Sequence, residues 1–138
     1  MTTEYLPAGV IDARSADTQA RRGKIVLVDI RTPVEWLQTG VPASAHAITM
    51  NQSAAVFLSA LDEVLGDDRS RPFALICRSG SRSATLASQL RSLGYPNVLD
   101  VGEGMIGSRH GAGWLLLGLP LRTGDAVTAR PAIEDAAA

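Results

Sequence analysis

Hydrophobic positions along the chain fall into short continuous runs and into stripes at helical spacing, and the two kinds alternate. Lys24 to Ile30 (KIVLVDI) is an apolar, β-branched run with a glycine before it, the pattern of a strand buried on both faces of a sheet. Phe73 to Ile76 (FALI), preceded by Pro72, and Asn97 to Val101 (NVLDV), preceded by Tyr95 and Pro96, are runs of the same kind. Pro33 to Gln38 has proline at a helix-opening position after Thr32, an N-cap residue, and Gly40 stands where that helix would stop. Ala54 to Leu65 carries apolar residues at 57, 58, 61, 64 and 65 with Asp62 and Glu63 facing away, which predicts an amphipathic helix. Ser83 to Leu93 opens on a capping hydroxyl, bears Leu86, Leu90 and Leu93 on one stripe, and ends at Gly94, a residue suited to a left-handed C-cap.

Strands that alternate with helices in this way predict an α/β domain with a mainly parallel sheet, right-handed crossovers and helices on both faces. Asp125 to Ala138 loses apolar periodicity, so the expected fold closes near Arg122: a domain over residues 1–122 and a flexible tail over 123–138. No repeat at a solenoid period interrupts this reading.

Composition narrows the class. A chain of 138 residues, 46% hydrophobic and 20% charged, is one globular domain by size and content. With a net charge of −1 and both signs mixed along the length, it lacks the broad basic surface that holds nucleic acid, so any anion site must be local. The first residues carry no basic and apolar leader pattern, and no apolar run approaches the roughly 20 residues of a membrane span. One cysteine forms no internal disulfide, so cytoplasm is the expected compartment.

That cysteine is where the chemistry concentrates. FALI runs into Cys77, Arg78, Ser79, Gly80, Ser81 and Arg82, with a helix expected from Ser83, which puts the thiol at the carboxyl end of a central strand where open α/β sheets bind ligands. Ser79, Gly80 and Ser81 let the backbone curl so that successive N–H groups converge on one spot. The helix N-terminus and the flanking Arg78 and Arg82 add positive potential, surroundings that favour a reactive thiolate and hold an oxyanion beside it. A buried inert thiol is the commoner role for a cysteine, but it gains nothing from two arginines and a Ser-Gly-Ser turn.

CRSGSR, followed by Ser83 and a helix, resembles the six-residue active loop of rhodanese-homology domains, catalytic cysteine first. Val28 to Trp36 (VDIRTPVEW) is similar to that family's early Asp-x-Arg motif, Leu93-Gly94-Tyr95 with Val98 to its link to the next strand, and Gly118-Leu119-Pro120-Leu121 to its closing motif. The resemblance covers roughly residues 10 to 122. It departs at Gly40-Val41-Pro42, where the family often has Gly-His-Ile, and at a stretched segment between Glu103-Gly104 and Trp114, which implies an enlarged loop near the active-site mouth.

The resemblance implies a rhodanese-like fold with a central sheet of about five strands. It also implies a thiosulfate sulfurtransferase activity: a sulfane sulfur passes from thiosulfate or a similar anion onto Cys77 as a persulfide, then to cyanide or a thiol. In that scheme the amides from Arg78 through Ser79, Gly80, Ser81 and Arg82 to Ser83 hold the substrate and persulfide. Arg78 and Arg82 draw in the donor. No cofactor and no metal are implied. With no second cysteine, the persulfide needs an external thiol or nucleophile, glutathione, dihydrolipoamide and a thioredoxin-like protein being candidates. Asp29 and Arg31 match Asp-x-Arg and read as supports, against the alternative of a surface ion pair; Arg31 with Glu35 at helical spacing would add only a few tenths of a kcal/mol.

Other readings compete. A rhodanese module could relay sulfur for, or bind, a protein partner without its own catalysis. Cysteine phosphatases and arsenate reductases also bind dianions in a cysteine loop, but phosphatases resemble one another in an arginine one position beyond Arg82, where this chain has Ser83. Gly102 to Gly107 matches the dinucleotide glycine fingerprint, yet too little chain follows it for a dinucleotide-binding domain, and a flexible loop by the active site is the better account. His46 and His110 are isolated and make no metal site of recognisable spacing. Arg109 and His110 could approach the active loop, a solvated polar turn being the simpler account, and Trp36 and Trp114 read as core or pocket wall.

Overall fold

The structure, a computed structural model, describes residues 5–6 and 9–133. In chain order the elements are β1 (Tyr5–Leu6), β2 (Val10–Ile11), α1 (Ala13–Arg21), β3 (Val26–Asp29), α2 (Pro33–Thr39), β4 (Val41–Pro42), β5 (Ala45–Ala47), α3 (Ala54–Val64), β6 (Phe73–Ile76), α4 (Ser81–Ser92), β7 (Val98–Val101) and β8 (Leu121–Arg122). The three apolar runs are strands, trimmed at their ends, and each lies in the middle of a sheet ordered β1-β2-β7-β6-β3-β5. All its pairings are parallel except β1 with β2 at one edge. β3 and β6 bury every residue, which is why their sequences are continuously apolar rather than alternating.

Helices cover both faces. On one, Phe57 and Leu61 of α3 and Leu86, Ala87 and Leu90 of α4 pack on Val26, Val28, Phe73 and Leu75. On the other, Ala13, Ala16 and Ala20 of α1 join Met105 and Trp114 against Leu27, Ala74 and Ile76. Helix α1 escaped the pattern because its buried face holds no large apolar residue, only Ala13, Ala16 and Ala20 with the polar Asp17 and Gln19; Asp12 caps it, accepting the Ser15 N–H at 2.8 Å.

Helix α4 begins at Ser81, two residues before the expected Ser83. Its N-cap is Gly80 with no side-chain cap, and the Ser83 hydroxyl turns inward to Cys77 instead. The segment expected to be a flexible tail also partly rejoins the body: Gly124–Thr128 is a 3₁₀ helix whose Val127 packs with Trp36 and Val41. Arg122 ties that return, donating to the carbonyls of Pro42, Ala43, Ala126, Val127 and Ala129. One valine and one arginine were too sparse a signal to register as periodicity. The rest of the expected tail, residues 134–138, lies outside the described residues, as do 1–4 of the expected domain. No helix among the described residues is long and apolar enough to cross a membrane.

Candidate active site

Cys77 follows β6, which sits between β7 and β3, so the loop from Cys77 to Ser83 emerges at the carboxyl end of the sheet's centre. Cys77 is 1% exposed and belongs to the core under α3 and α4, yet its sulfur also has polar contacts. The Gly80 amide donates to Sγ at 3.2 Å, the Ser83 amide at 3.3 Å, and the Ser83 hydroxyl lies 3.3 Å away. Of the loop amides expected to converge, those of Gly80 and Ser83 reach the sulfur, where they favour negative charge, while those of Arg78, Ser79, Ser81 and Arg82 make no hydrogen bond to it. Arg78, Ser79 and Ser81 form the exposed rim.

Glycine is a geometric requirement here. Gly80 has φ of 97°, and a Cβ there would stand 2.3 Å from the Gly102 carbonyl oxygen. The enlarged segment 102–113 backs the active loop rather than hanging free. Its Met105 and Ile106 amides donate to the Cys77 and Arg78 carbonyls, each at 3.0 Å, which fixes the start of the loop. Glu103, 4% exposed, braces the segment by accepting from the Ala13 amide of α1 and from Gly113, both at 2.8 Å. The expectation of a flexible loop therefore gives way to a braced one. Its glycine fingerprint sits in consecutive turns with no helix after it, which removes the dinucleotide reading.

The arginines divide the work differently from expectation. Arg78 is exposed on the rim, free to meet an anion. Arg82 is turned instead onto Glu35 of α2, donating to both carboxylate oxygens at 3.0 and 2.9 Å. That guanidinium, against the opposing cost of burial, lowers the Glu35 carboxyl from 4.5 to about 2. Glu35 also closes a capping box with Thr32 at the start of α2. The active loop is thereby tied to the Asp-x-Arg segment through a residue for which the sequence suggested only a helical pair with Arg31.

That helical pair does not form. Arg31, 1% exposed, donates to Asp29, 0% exposed, from Nη2 at 2.8 Å and from Nε at 3.0 Å. Asp29 also accepts the Arg31 amide and the Trp36 indole N–H, while Arg31 reaches Thr39 and the Gly40 carbonyl. Both side chains of this buried pair are held by several hydrogen bonds, so the two residues are supports of the 30–40 turn and not a surface ion pair.

Asp100 of β7 is the residue the sequence reading missed. It is 5% exposed and hydrogen-bonds the Ser83 hydroxyl beside the sulfur. A lone carboxylate inside the otherwise apolar NVLDV run was the available signal. His110 and Arg109 do approach the active loop, lining a cavity with Ser79, Ser81 and Asp100. His46 lies apart on β5, its imidazole held below the usual range by burial and then by Arg130, Arg122 and Arg71. Trp36 and Trp114 are buried, as expected. Among the described residues no cluster of His, Cys, Asp or Glu could hold a metal ion.

A central parallel sheet with a cysteine loop at its carboxyl end defines a class of α/β domain, and comparison gives the family. The rhodanese-like domain model matches residues 9–107, and the chain belongs to that family. A sulfurtransferase of Allochromatium vinosum is 34% identical over 106 residues, covering 73% of this chain and 84% of that protein. The uncharacterised protein RP600 of Rickettsia prowazekii is 30% identical over 103 residues, covering 68% and 80%. Among solved structures, the polysulfide-sulfur transferase homodimer of Wolinella succinogenes shares the fold at a TM-score of 0.64 and 22% identity, over 84% of this chain and 79% of that one.

Proposed function

We propose that this chain is a sulfurtransferase that carries a sulfane sulfur on Cys77 as a persulfide, taking it from thiosulfate or a similar anion and passing it to cyanide or a thiol. One observation carries the reading: the Cys77 sulfur receives main-chain N–H bonds from Gly80 and Ser83 in a loop at the carboxyl end of the sheet's centre. In the first half-reaction the thiolate attacks the outer sulfur of the donor. An S–S bond forms to Sγ, the donor's own S–S bond breaks, and sulfite leaves with the electron pair. In the second, an acceptor nucleophile takes the outer sulfur and the Cys77 thiolate leaves, giving thiocyanate from cyanide or a persulfide from a thiol.

The loop amides hold the negative charge that the outer sulfur carries, and Arg78 on the rim meets the anionic donor. Arg82 contributes by fixing the loop to Glu35. The chain has one cysteine, so resolution comes from outside, from a small thiol or a thioredoxin-like protein in a compartment where thiols stay reduced. A role as a sulfur-relay module for a protein partner differs only in the donor and acceptor.

The test is direct. Incubation with thiosulfate adds one sulfur atom to Cys77, read by intact-protein mass spectrometry, and cyanide removes it as thiocyanate; Cys77→Ser abolishes both. Hydrolysis of p-nitrophenyl phosphate without sulfur uptake from any donor would overturn the proposal in favour of a phosphatase.

A further inference from the structure

The Ser83 hydroxyl stands between two groups that compete for its one hydrogen, the Asp100 carboxylate and the Cys77 sulfur at 3.3 Å. A third acceptor, the Gly80 carbonyl at 3.2 Å, already takes the Ala84 N–H at 3.0 Å, and the sulfur also accepts the Gly80 and Ser83 amides. With Asp100 ionised, the carboxylate takes that hydrogen and Ser83 presents lone pairs to the sulfur. That suits a thiol, whose S–H can donate. It does not suit a thiolate, which would then face lone pairs on one side with a second buried anion behind them.

The arrangement relaxes if the proton leaving the sulfur ends on the carboxyl. Sγ–H breaks as Oγ–H forms at Ser83, and the original Ser83 hydrogen moves to Asp100. A thiol and a carboxylate become a thiolate and a carboxylic acid, with no change in net charge. The contacts from Asp100 through Ser83 to Cys77 are then satisfied, the acid donating to Ser83 and Ser83 donating to the sulfur. We propose that Asp100 is a positioning residue that holds the proton given up by Cys77, received through the Ser83 hydroxyl.

The surroundings agree. Asp100 lies 5% exposed on β7, and its carboxyl is held above the usual range by burial, against the opposing pull of the Ser83 hydrogen bond and of His110 and Arg91. Those are the charged groups that face it, Arg91 from α4 and His110 from the 102–113 segment; Arg82 is the charge facing Cys77. Asp100 also lines a cavity of 410 Å³ together with Ser79 and Ser81 of the rim and Ser108, Arg109 and His110.

The use of this relay rests on the sulfur-transfer reading, but its test does not. Ultraviolet thiolate absorbance and the rate of alkylation by iodoacetamide are followed against pH in the full chain, for the wild type, Asp100→Asn, Ser83→Ala and the double variant. With the proton held on Asp100, the wild-type thiolate has a neutral acid beside it. In Asp100→Asn that acceptor is gone, the proton must leave to solvent, and the midpoint of thiolate formation rises by about one pH unit. In the Ser83→Ala background the same substitution moves the midpoint much less, because the hydroxyl whose hydrogen bonds couple the two groups is absent.

An Asp100→Asn midpoint that stays at the wild-type value or falls, as loss of a like charge alone would give, or a shift of equal size with and without Ser83, overturns the relay. If Asp100→Asn fails to fold, infrared spectra decide instead: wild type shows a protonated carboxyl band near neutral pH that Cys77→Ser lacks, and an equal band in both, or none in the wild type, refutes the proposal. Persulfide formation with unchanged pH profiles would sink the relay alone. The profile shift without persulfide from any donor would sink the sulfur-transfer reading alone.

Discussion

Replacing Glu35 by glutamine separates the two jobs that this residue does. The amide keeps a side-chain oxygen for the Thr32 N–H, so the capping box survives, but it loses the charge that holds Arg82 in a two-pronged contact. Depression of the Glu35 carboxyl from 4.5 to about 2, at about 1.4 kcal/mol per pH unit, sets a ceiling of about 3 kcal/mol on the tie. The side chains of Arg82 and Glu35 are 35% and 21% exposed, and water reaching them reduces this to about 1–2 kcal/mol.

The sign follows from the folded value lying below the unfolded one. The stabilisation is complete above about 4.5 and is lost as pH falls toward about 2. Urea denaturation of wild type and Glu35→Gln over this range gives the answer. Near neutral pH the variant's midpoint is lower by about 0.5–1 M, and the two curves converge toward the acid end. A gap that stays the same down to the acid end, or no gap at neutrality, would refute the account of Glu35 as a charge tie.

Two further outcomes follow from the same contacts. Gly80→Ala puts a Cβ 2.3 Å from the Gly102 carbonyl on a backbone of φ 97°, so the loop shifts; sulfur transfer falls at least tenfold and stability by about 1–3 kcal/mol, measured by steady-state turnover and chemical denaturation. Arg31→Ala leaves Asp29 buried with its charge uncompensated and costs about 3–5 kcal/mol, visible as a lower thermal midpoint. A loss under about 1 kcal/mol would mean that water reaches the pair.

Much of the sheet was legible because β3, β6 and β7 are buried on both faces and so must be written in apolar residues. Helices α2, α3 and α4 carried caps or stripes strong enough to locate, although α4's start was misplaced by two residues. The misplacement has a cause: Ser83 has the chemistry of a cap, and only the nearby sulfur and Asp100 divert its hydroxyl. Helix α1 and the short strands β1, β2, β4, β5 and β8 were not legible. Two or three residues of strand, or alanines at buried positions, carry little periodicity of their own and are held by what they pack against.

The sequence by itself determined the class of fold and the place of the Cys77 sulfur, because a strand run, a cysteine, a permissive turn and a helix are all contiguous and their geometry is local. Only the tertiary structure decided which charges meet. Arg82 finds Glu35 from another helix, Arg31 turns back onto Asp29, and Asp100 arrives beside Ser83 from the neighbouring strand. Such pairings depend on the order of strands in the sheet and on which side chains are cut off from water, and neither can be read from spacing along the chain.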